Sequence, residues 1–328
     1  MSYIKDQMTL DKVGGMERGF VPLPSNEPTP WDDDDDWFTP QEVAQALESI
    51  IGQDEAKQAA SMIVYELLEY QLPTTSLFLG ETGCGKTEIW RCLKRMYPNL
   101  IQIADASNLS ASGWKGDLHL ADLLKNFDPH KSKYQGFRIL VLDEFDKIWL
   151  QKSGDNEYFN IMQSQLLKLF EHDSSAFPNT YPTENIAIVC CGAFSSLYKA
   201  RHSKKGSIGF SCATKDEKPH KSLREELSAF SMLPELIGRF DRIVEMNPPS
   251  LEVYQEIAKR ELHKLEADIH KEIVIDDDTL NAIASDALTE GLGARYIRKE
   301  LFMRAEQAIY DDCFCKTIQI GESPAPEM

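Results

Sequence analysis

Ser76-Leu77-Phe78-Leu79-Gly80-Glu81-Thr82-Gly83-Cys84-Gly85-Lys86-Thr87 carries an apolar run into a glycine-punctuated loop, and the helix-forming segment Glu88 to Lys94 follows directly. Strand, G-x-x-x-x-G-K-T loop and helix in that order make a phosphate-binding loop. Its glycines let successive backbone N–H groups converge on phosphate oxygens at the positive end of the following helix. Lys86 is placed to reach the β and γ phosphates, and Thr87 to offer its hydroxyl to Mg²⁺. ATP and Mg²⁺ are therefore the expected ligands of Gly80 to Thr87.

A nucleotide site of this kind needs carboxylates nearby, and the chain supplies them at Asp143 and Glu144. They follow Arg138-Ile139-Leu140-Val141-Leu142, an apolar run without alternation, which marks a parallel strand buried on both faces. In an open α/β sheet, the carboxyl ends of the strands border the ligand crevice. Asp143 is thus expected in the Mg²⁺ shell, and Glu144 as the group that polarises water for attack on the γ phosphate. Hydrolysis, beyond binding, is the expectation.

Further strands are readable at 76–79, 101–104, 186–190 and 242–246, and helices at roughly 86–96, 118–126 and 156–171. Such alternation predicts a parallel sheet with helices on both faces. Upstream, Thr39-Pro40-Gln41-Glu42 is a capping box with proline at the first helical position, opening a helix expected to reach about Ser49. Asp54 caps the next, to about Tyr70. Beyond Pro248-Pro249 the pattern reads as purely helical, over 250–265, 278–288 and 293–310. The chain therefore divides into an acidic tail (1–38, with Asp32 to Asp36 between Trp31 and Trp37), an α/β nucleotide-binding domain (39–248), a small helical domain (249–316) and a C-terminal tail (317–328).

Composition narrows the class. The 328 residues can bury one α/β core and a smaller one. A net charge of -18 argues against a protein that coats nucleic acid. The seven cysteines form no Cys-x-x-Cys pair and read as reduced thiols of a cytoplasmic protein without zinc. No apolar stretch approaches the roughly 18 residues of a membrane span.

Taken in order, these signals resemble the AAA+ family, and their details resemble its ClpX unfoldases, from about Leu47 to Phe314. Four matches carry the resemblance. Ile50-Ile51-Gly52-Gln53 is similar to the segment lining that family's adenine pocket, and Asp143-Glu144-Phe145-Asp146-Lys147 to its DE-x-DK strand end. Leu233-Pro234-Glu235-Leu236-Ile237-Gly238-Arg239 resembles the segment bearing its arginine finger, and Gly293-Ala294-Arg295 its sensor-2 motif. The resemblance implies that Arg239 acts on a neighbouring subunit's nucleotide and Arg295 on the subunit's own, within a homo-hexamer.

Two more matches concern the work done. Gly113-Trp114-Lys115-Gly116 stands where the family has its aromatic pore loop, and a flat side chain between glycines can press on almost any polypeptide. Trp114 could alternatively belong to the core. Ile208-Gly209-Phe210 resembles the loop by which ClpX docks on a ClpP-type peptidase, although it could instead tuck onto its own domain. Three departures are equally informative. Residues 1–45 contain no cysteine, so the family's zinc module is expected to be absent; the entrance loop near 174–184 lacks arginine and lysine; and Cys190-Cys191-Gly192-Ala193 offers no sensor-1 residue. A remodelling or scaffold ATPase without a peptidase remains the alternative. A small-molecule phosphotransferase would leave the Trp114, Arg239 and C-terminal features without a purpose.

Overall fold

In the computed structural model, strand β3 (Arg138–Asp143) shows why an unbroken apolar run is a strand here. Ile139 and Val141 project into one core layer with Phe78, Ala187 and Val189, and Leu140 and Leu142 into another with Leu77, Leu79 and Ile188. Period-two geometry sends neighbours to opposite faces, so burial on both sides demands apolar residues at every position. The structure describes residues 39–114, 118–125, 127, 136–150, 156–195, 223–291, 293–312 and 314–320.

The other strands are β1 (Thr75–Gly80), β2 (Ile101–Asp105), β4 (Ile186–Gly192) and β5 (Arg242–Met246). They pair in the order β2-β3-β4-β1-β5, every pair parallel. The register sets Leu77 opposite both Cys190 and Ile243. One face is covered by α1 (Pro40–Gln45), α2 (Asp54–Glu69) and α3 (Lys86–Met96). The other face carries α4 (Leu120–Lys125), α5 (Lys147–Leu150), α6 (Asn156–Phe170), α7 (Leu223–Ser228) and α8 (Pro234–Gly238). This is the expected parallel α/β core with helices on both faces.

The capping box is present: Glu42 N–H donates to Thr39 Oγ1 at 3.3 Å, and Thr39 N–H to Glu42 Oε2 at 2.6 Å. The helix stops at Gln45, short of the expected Ser49, because the backbone tightens into i→i−3 bonds at Leu47, Glu48 and Ile50. That turn delivers Leu47 and Ile50 into the core layer beneath α2.

A third core belongs to the C-terminal unit. Here α9 (Leu251–Ile269), α10 (Asp277–Glu290) and α11 (Ala294–Asp311) pack around Tyr254, Leu262, Ile283, Ile297 and Leu301. Ser250 and Asp276 accept from the backbone at Val253 and Thr279, capping the first two helices. The purely helical pattern, and the tail from 317, need correction. Thr317–Ile320 is a strand, β7, paired parallel with β6 (Glu272–Ile275), and Ile318 and Ile320 are buried in this core. Two isoleucines alternating with Thr317 and Gln319 over four residues are a short signal, and only the partner strand 45 positions upstream gives them a surface to cover. Among the described residues, no helix is long and apolar enough to cross a membrane.

One side chain ties the ends of β3 and β4 together. Asp146, 3% exposed, accepts from the backbone N–H of Ala193 at 3.0 Å and of Phe194 at 3.2 Å. Replacing it leaves a buried donor at Phe194 and a half-buried one at Ala193 without a charged acceptor. Asp146→Ala is expected to lower stability by about 1.5–3 kcal/mol, read as a shifted urea midpoint; an unchanged midpoint would show that the Ala193–Phe194 turn holds itself.

Candidate nucleotide site

Because all five strands run the same way, their carboxyl ends share one edge of the sheet, and the loop after β1 opens there. The chain turns into α3 through Gly85, whose φ of +99° is costly for any residue with a β-carbon. Cys84 and Lys86 are buried, whereas Thr82 and Gly83 are exposed at the lip and Glu81 is half-buried. Lys86 Nζ donates to the carbonyls of Gly80 at 2.6 Å and Glu81 at 2.8 Å, and lies 3.6 Å from Cys84 Sγ. These partners are all neutral. Among the described residues this 8%-exposed ammonium is hydrogen-bonded to dipoles alone, which makes a site prepared for an anion, and a triphosphate fits it. Burial raises the Cys84 thiol pKa, against a partial pull downward from Lys86, so the thiol lines the loop uncharged.

Thr87 Oγ1 donates to both carboxylate oxygens of Asp143, at 2.9 and 2.8 Å, across the intervening β4. A hydroxyl and a carboxylate converging beside a phosphate loop form the oxygen donor set that Mg²⁺ takes. Next to them, Glu144 is exposed and sits at φ +54°, a left-handed conformation uncommon outside glycine. Its N–H donates to Asp143 Oδ1 at 3.0 Å. Strain of this kind is tolerated where the surroundings enforce it, and it turns the Glu144 side chain away from the core that receives Phe145. Cys191, at the end of β4, has its thiol pKa raised by burial and then by the nearby Asp143 charge. It contributes no charge or strong hydrogen bond at the position where a sensor residue was sought.

The C-terminal unit roofs this loop. A β-carbon on Gly293 would stand 2.7 Å from Gly83 Cα and 2.8 Å from Gly83 O, so only glycine allows the two backbones to meet. Arg295, two residues on in the first turn of α11, is exposed. Tyr254 of α9 approaches from the same side. Its phenol pKa is raised first by burial and then by Cys84 and Glu81. Nothing in the local sequence singles out Tyr254, since its helical spacing is that of a core residue.

Ile51, Gly52 and Gln53 line a cavity of about 360 Å³ with Asn247, Pro248 and Val253. Gln53 Nε2 donates to Asn247 O at 2.7 Å, closing this cleft at the hinge between the two units. Ile51 faces the cavity; the Ile50 side chain instead lies in the core layer with Leu47. A larger cavity, about 670 Å³, is lined by Glu266, His270, Phe314 and Lys316 and shares no residue with this site.

Arg239 stands at the opposite edge of the sheet. It precedes β5, and the adjoining Asp241 N–H bonds Thr75 O at the start of β1. Five residue steps of strand, about 16 Å, separate that end from Gly80. Its guanidinium pairs with Glu171 Oε1 at 2.5 Å. Trp114 is likewise apart from the phosphate loop. It is 36% exposed and meets the Tyr158 ring edge-to-face at 5.3 Å, which excludes the alternative of a tryptophan sealed in the core. Gly113, at φ +86°, is the third residue of the turn that Trp114 N–H closes onto Ala111 O. Lys115, Gly116 and Ile208-Gly209-Phe210 lie outside the described residues.

Comparison with known proteins agrees with this architecture. The AAA domain (Cdc48 subfamily) family matches residues 72–243, the span from β1 into β5. The chain is 30% identical over 302 residues to the ATP-dependent Clp protease ATP-binding subunit ClpX 2 of Wolinella succinogenes, an alignment covering 79% of this chain and 74% of the relative. The chain belongs to the AAA+ family. It is a Clp-type AAA+ ATPase, a nucleotide-binding enzyme. The ATP-dependent Clp protease ATP-binding subunit ClpX of Treponema denticola is also 30% identical, over 315 residues and 79% of this chain and 74% of the relative. That of Azotobacter vinelandii is 28% identical over 327 residues, with 83% and 74% covered.

The Gly293–Gly83 contact is open to a controlled test. Gly293→Ala combines backbone strain of about 1–3 kcal/mol with a collision against the phosphate loop. Gly291→Ala places a milder, left-handed strain, at φ +64° and ψ +22°, in open space, whereas Gly293 has φ +67° and ψ -160°. Fluorescent-nucleotide titration is expected to show about tenfold weaker binding for the first and little change for the second; equal losses would discount the contact.

Proposed function

We propose that this ATPase is a hexameric protein unfoldase or remodeller that hydrolyses ATP between subunits, draws polypeptide past Trp114 and hands it to a ClpP-type peptidase. The observation that carries the reading is the separation of Arg239 from the phosphate loop of its own chain, on opposite edges of one parallel sheet. An arginine that stabilises transferring phosphoryl oxygens contributes roughly 10³–10⁵ in rate, and from its edge Arg239 can do so only for an adjoining copy. Closed rotational assembly makes every copy both donor and recipient.

Within one subunit, Lys86 binds the β and γ phosphates, the backbone of Gly80 to Gly85 orients them, and Glu144 takes the proton of the attacking water. Thr87 and Asp143 would hold Mg²⁺, which when bound neutralises charge shared by the β and γ oxygens. Ile50 and Ile51 with Gln53 form the adenine side of the cleft; Ile51 lines it directly, and Ile50 supports it from the core. Arg295 reads the nucleotide from the C-terminal unit, so loss of the γ phosphate changes how that unit sits on Gly83. The boundaries 39–248 and 249–316 follow this division, with β7 added to the second unit.

Trp114, half out of the surface with Gly113 beside it, is the group that grips polypeptide. The relatives' names contain "Clp protease", and this motivates the peptidase hand-off through Ile208, Gly209 and Phe210. The cytoplasm is the proposed compartment.

Mixing complementary variants tests the shared site. Glu144→Gln retains Arg239, whereas Arg239→Ala retains Glu144. Each alone is expected to lose ATP turnover by about 10³-fold, and an equimolar mixture is expected to regain a measurable fraction of it. A mixture no faster than its parts would rule out action across subunits. Hand-off is read separately: Phe210→Ala should abolish co-purification with a ClpP-type peptidase, and undiminished association would rule out docking through that loop, whereas a parent protein that retains no peptidase would favour remodelling without one.

A further inference from the structure

We propose that α6 is a strut joining the site of Arg239 to the polypeptide grip, with Glu171 and Tyr158 as positioning residues at its two ends. The inference rests on the reading of Trp114 as the grip, and adds a physical link between that residue and the intersubunit arginine. At the amino end of α6, the Tyr158 ring meets Trp114 at 5.3 Å, and its hydroxyl donates to Leu109 O at 3.1 Å. About two turns on, Gln165 Oε1 accepts from Ser112 N–H at 3.2 Å. These contacts brace the Ser112–Trp114 turn on both sides.

At the other end, Glu171 continues the last turn of α6 through an N–H bond to Leu167 O and holds Arg239 at 2.5 Å. Between the ends, Gln163, 2% exposed, accepts from Leu233 N–H at 2.9 Å. Leu233 is the residue that opens α8, and Arg239 is the residue that closes it. Helix α8 is therefore pinned to α6 at both termini. Thirteen residues separate Tyr158 from Glu171, about 20 Å along the axis.

Met162, Leu166, Leu169 and Phe170 bury the inner face of α6 in the core. A helix packed in this way transmits displacement as a rod because close-packed side chains have little room to absorb it. When a neighbour's nucleotide draws on the Arg239 charge, the pull on Glu171 is relayed to the surface beneath Trp114. Glu171 is 26% exposed and Arg239 51%, so the pair is weak enough to be exchanged during a cycle.

The test measures polypeptide affinity in ATP on a Glu144→Gln background, by anisotropy of labelled, carboxymethylated α-lactalbumin. Residues about 20 Å apart ordinarily act additively. Tyr158→Leu and Glu171→Gln are each expected to weaken binding about threefold, and the double variant by about threefold as well, instead of about ninefold. Tyr158→Phe keeps the ring and loses only the Leu109 bond, so it is expected to fall between wild type and Tyr158→Leu. The conservative pair Tyr158→Phe and Glu171→Asp repeats the cycle if a harsher variant fails to fold. Additive losses, or no loss at either position, overturn the strut while leaving the grip intact. Unchanged affinity in Trp114→Ala overturns the grip and the strut together.

Discussion

Strand polarity is the constraint on which this molecule depends. With β2, β3, β4, β1 and β5 all parallel, the loops after Gly80, Asp143, Gly192 and Met246 are forced onto one edge. The anion cradle, the Thr87–Asp143 pair and the hinge at Pro248 are neighbours for that reason alone. The same polarity sends the segment before β5, and Arg239 with it, to the far edge.

The buried Lys86 ammonium gives the cradle its chemical character. Its partners satisfy its hydrogen bonds but not its charge, so the loop is a preorganised acceptor for phosphate instead of a structure that must be built on binding. Roofing by Gly293 adds mechanical consequence. The close backbone approach leaves no side chain between the phosphate loop and the start of α11. Tyr254 and the Gln53–Asn247 bond make the same junction from other sides. These three contacts converge on one junction.

On the opposite face of the sheet the connections are polar and directional. Gln163, Gln165 and Asp146 each accept backbone N–H groups from distant segments. The buried acceptors Gln163 and Asp146 specify which loops meet, since each N–H left unpaired there is costly, and the more exposed Gln165 adds a further bond. The apolar layers would tolerate many arrangements of those loops; the side-chain oxygens select one.

The local sequence was sufficient for the parallel α/β core, the phosphate loop, the Asp143–Glu144 strand end and the helices that follow Pro249, because each is written as a periodicity or a motif within about a dozen residues. Trp114 was recognisable as a candidate between its glycines, but whether it is enclosed was not, since exposure depends on Tyr158, 44 positions away. Ile318 and Ile320 look like the start of a tail until β6 is placed beside them. The pairing of Glu171 with Arg239, the seating of Gly293 on Gly83 and the retreat of Ile50 into the core have no local signature. Short-range rules choose secondary structure from backbone sterics and hydrophobic period, whereas contacts between segments far apart in the chain exist only after the sheet has set the distances between its edges.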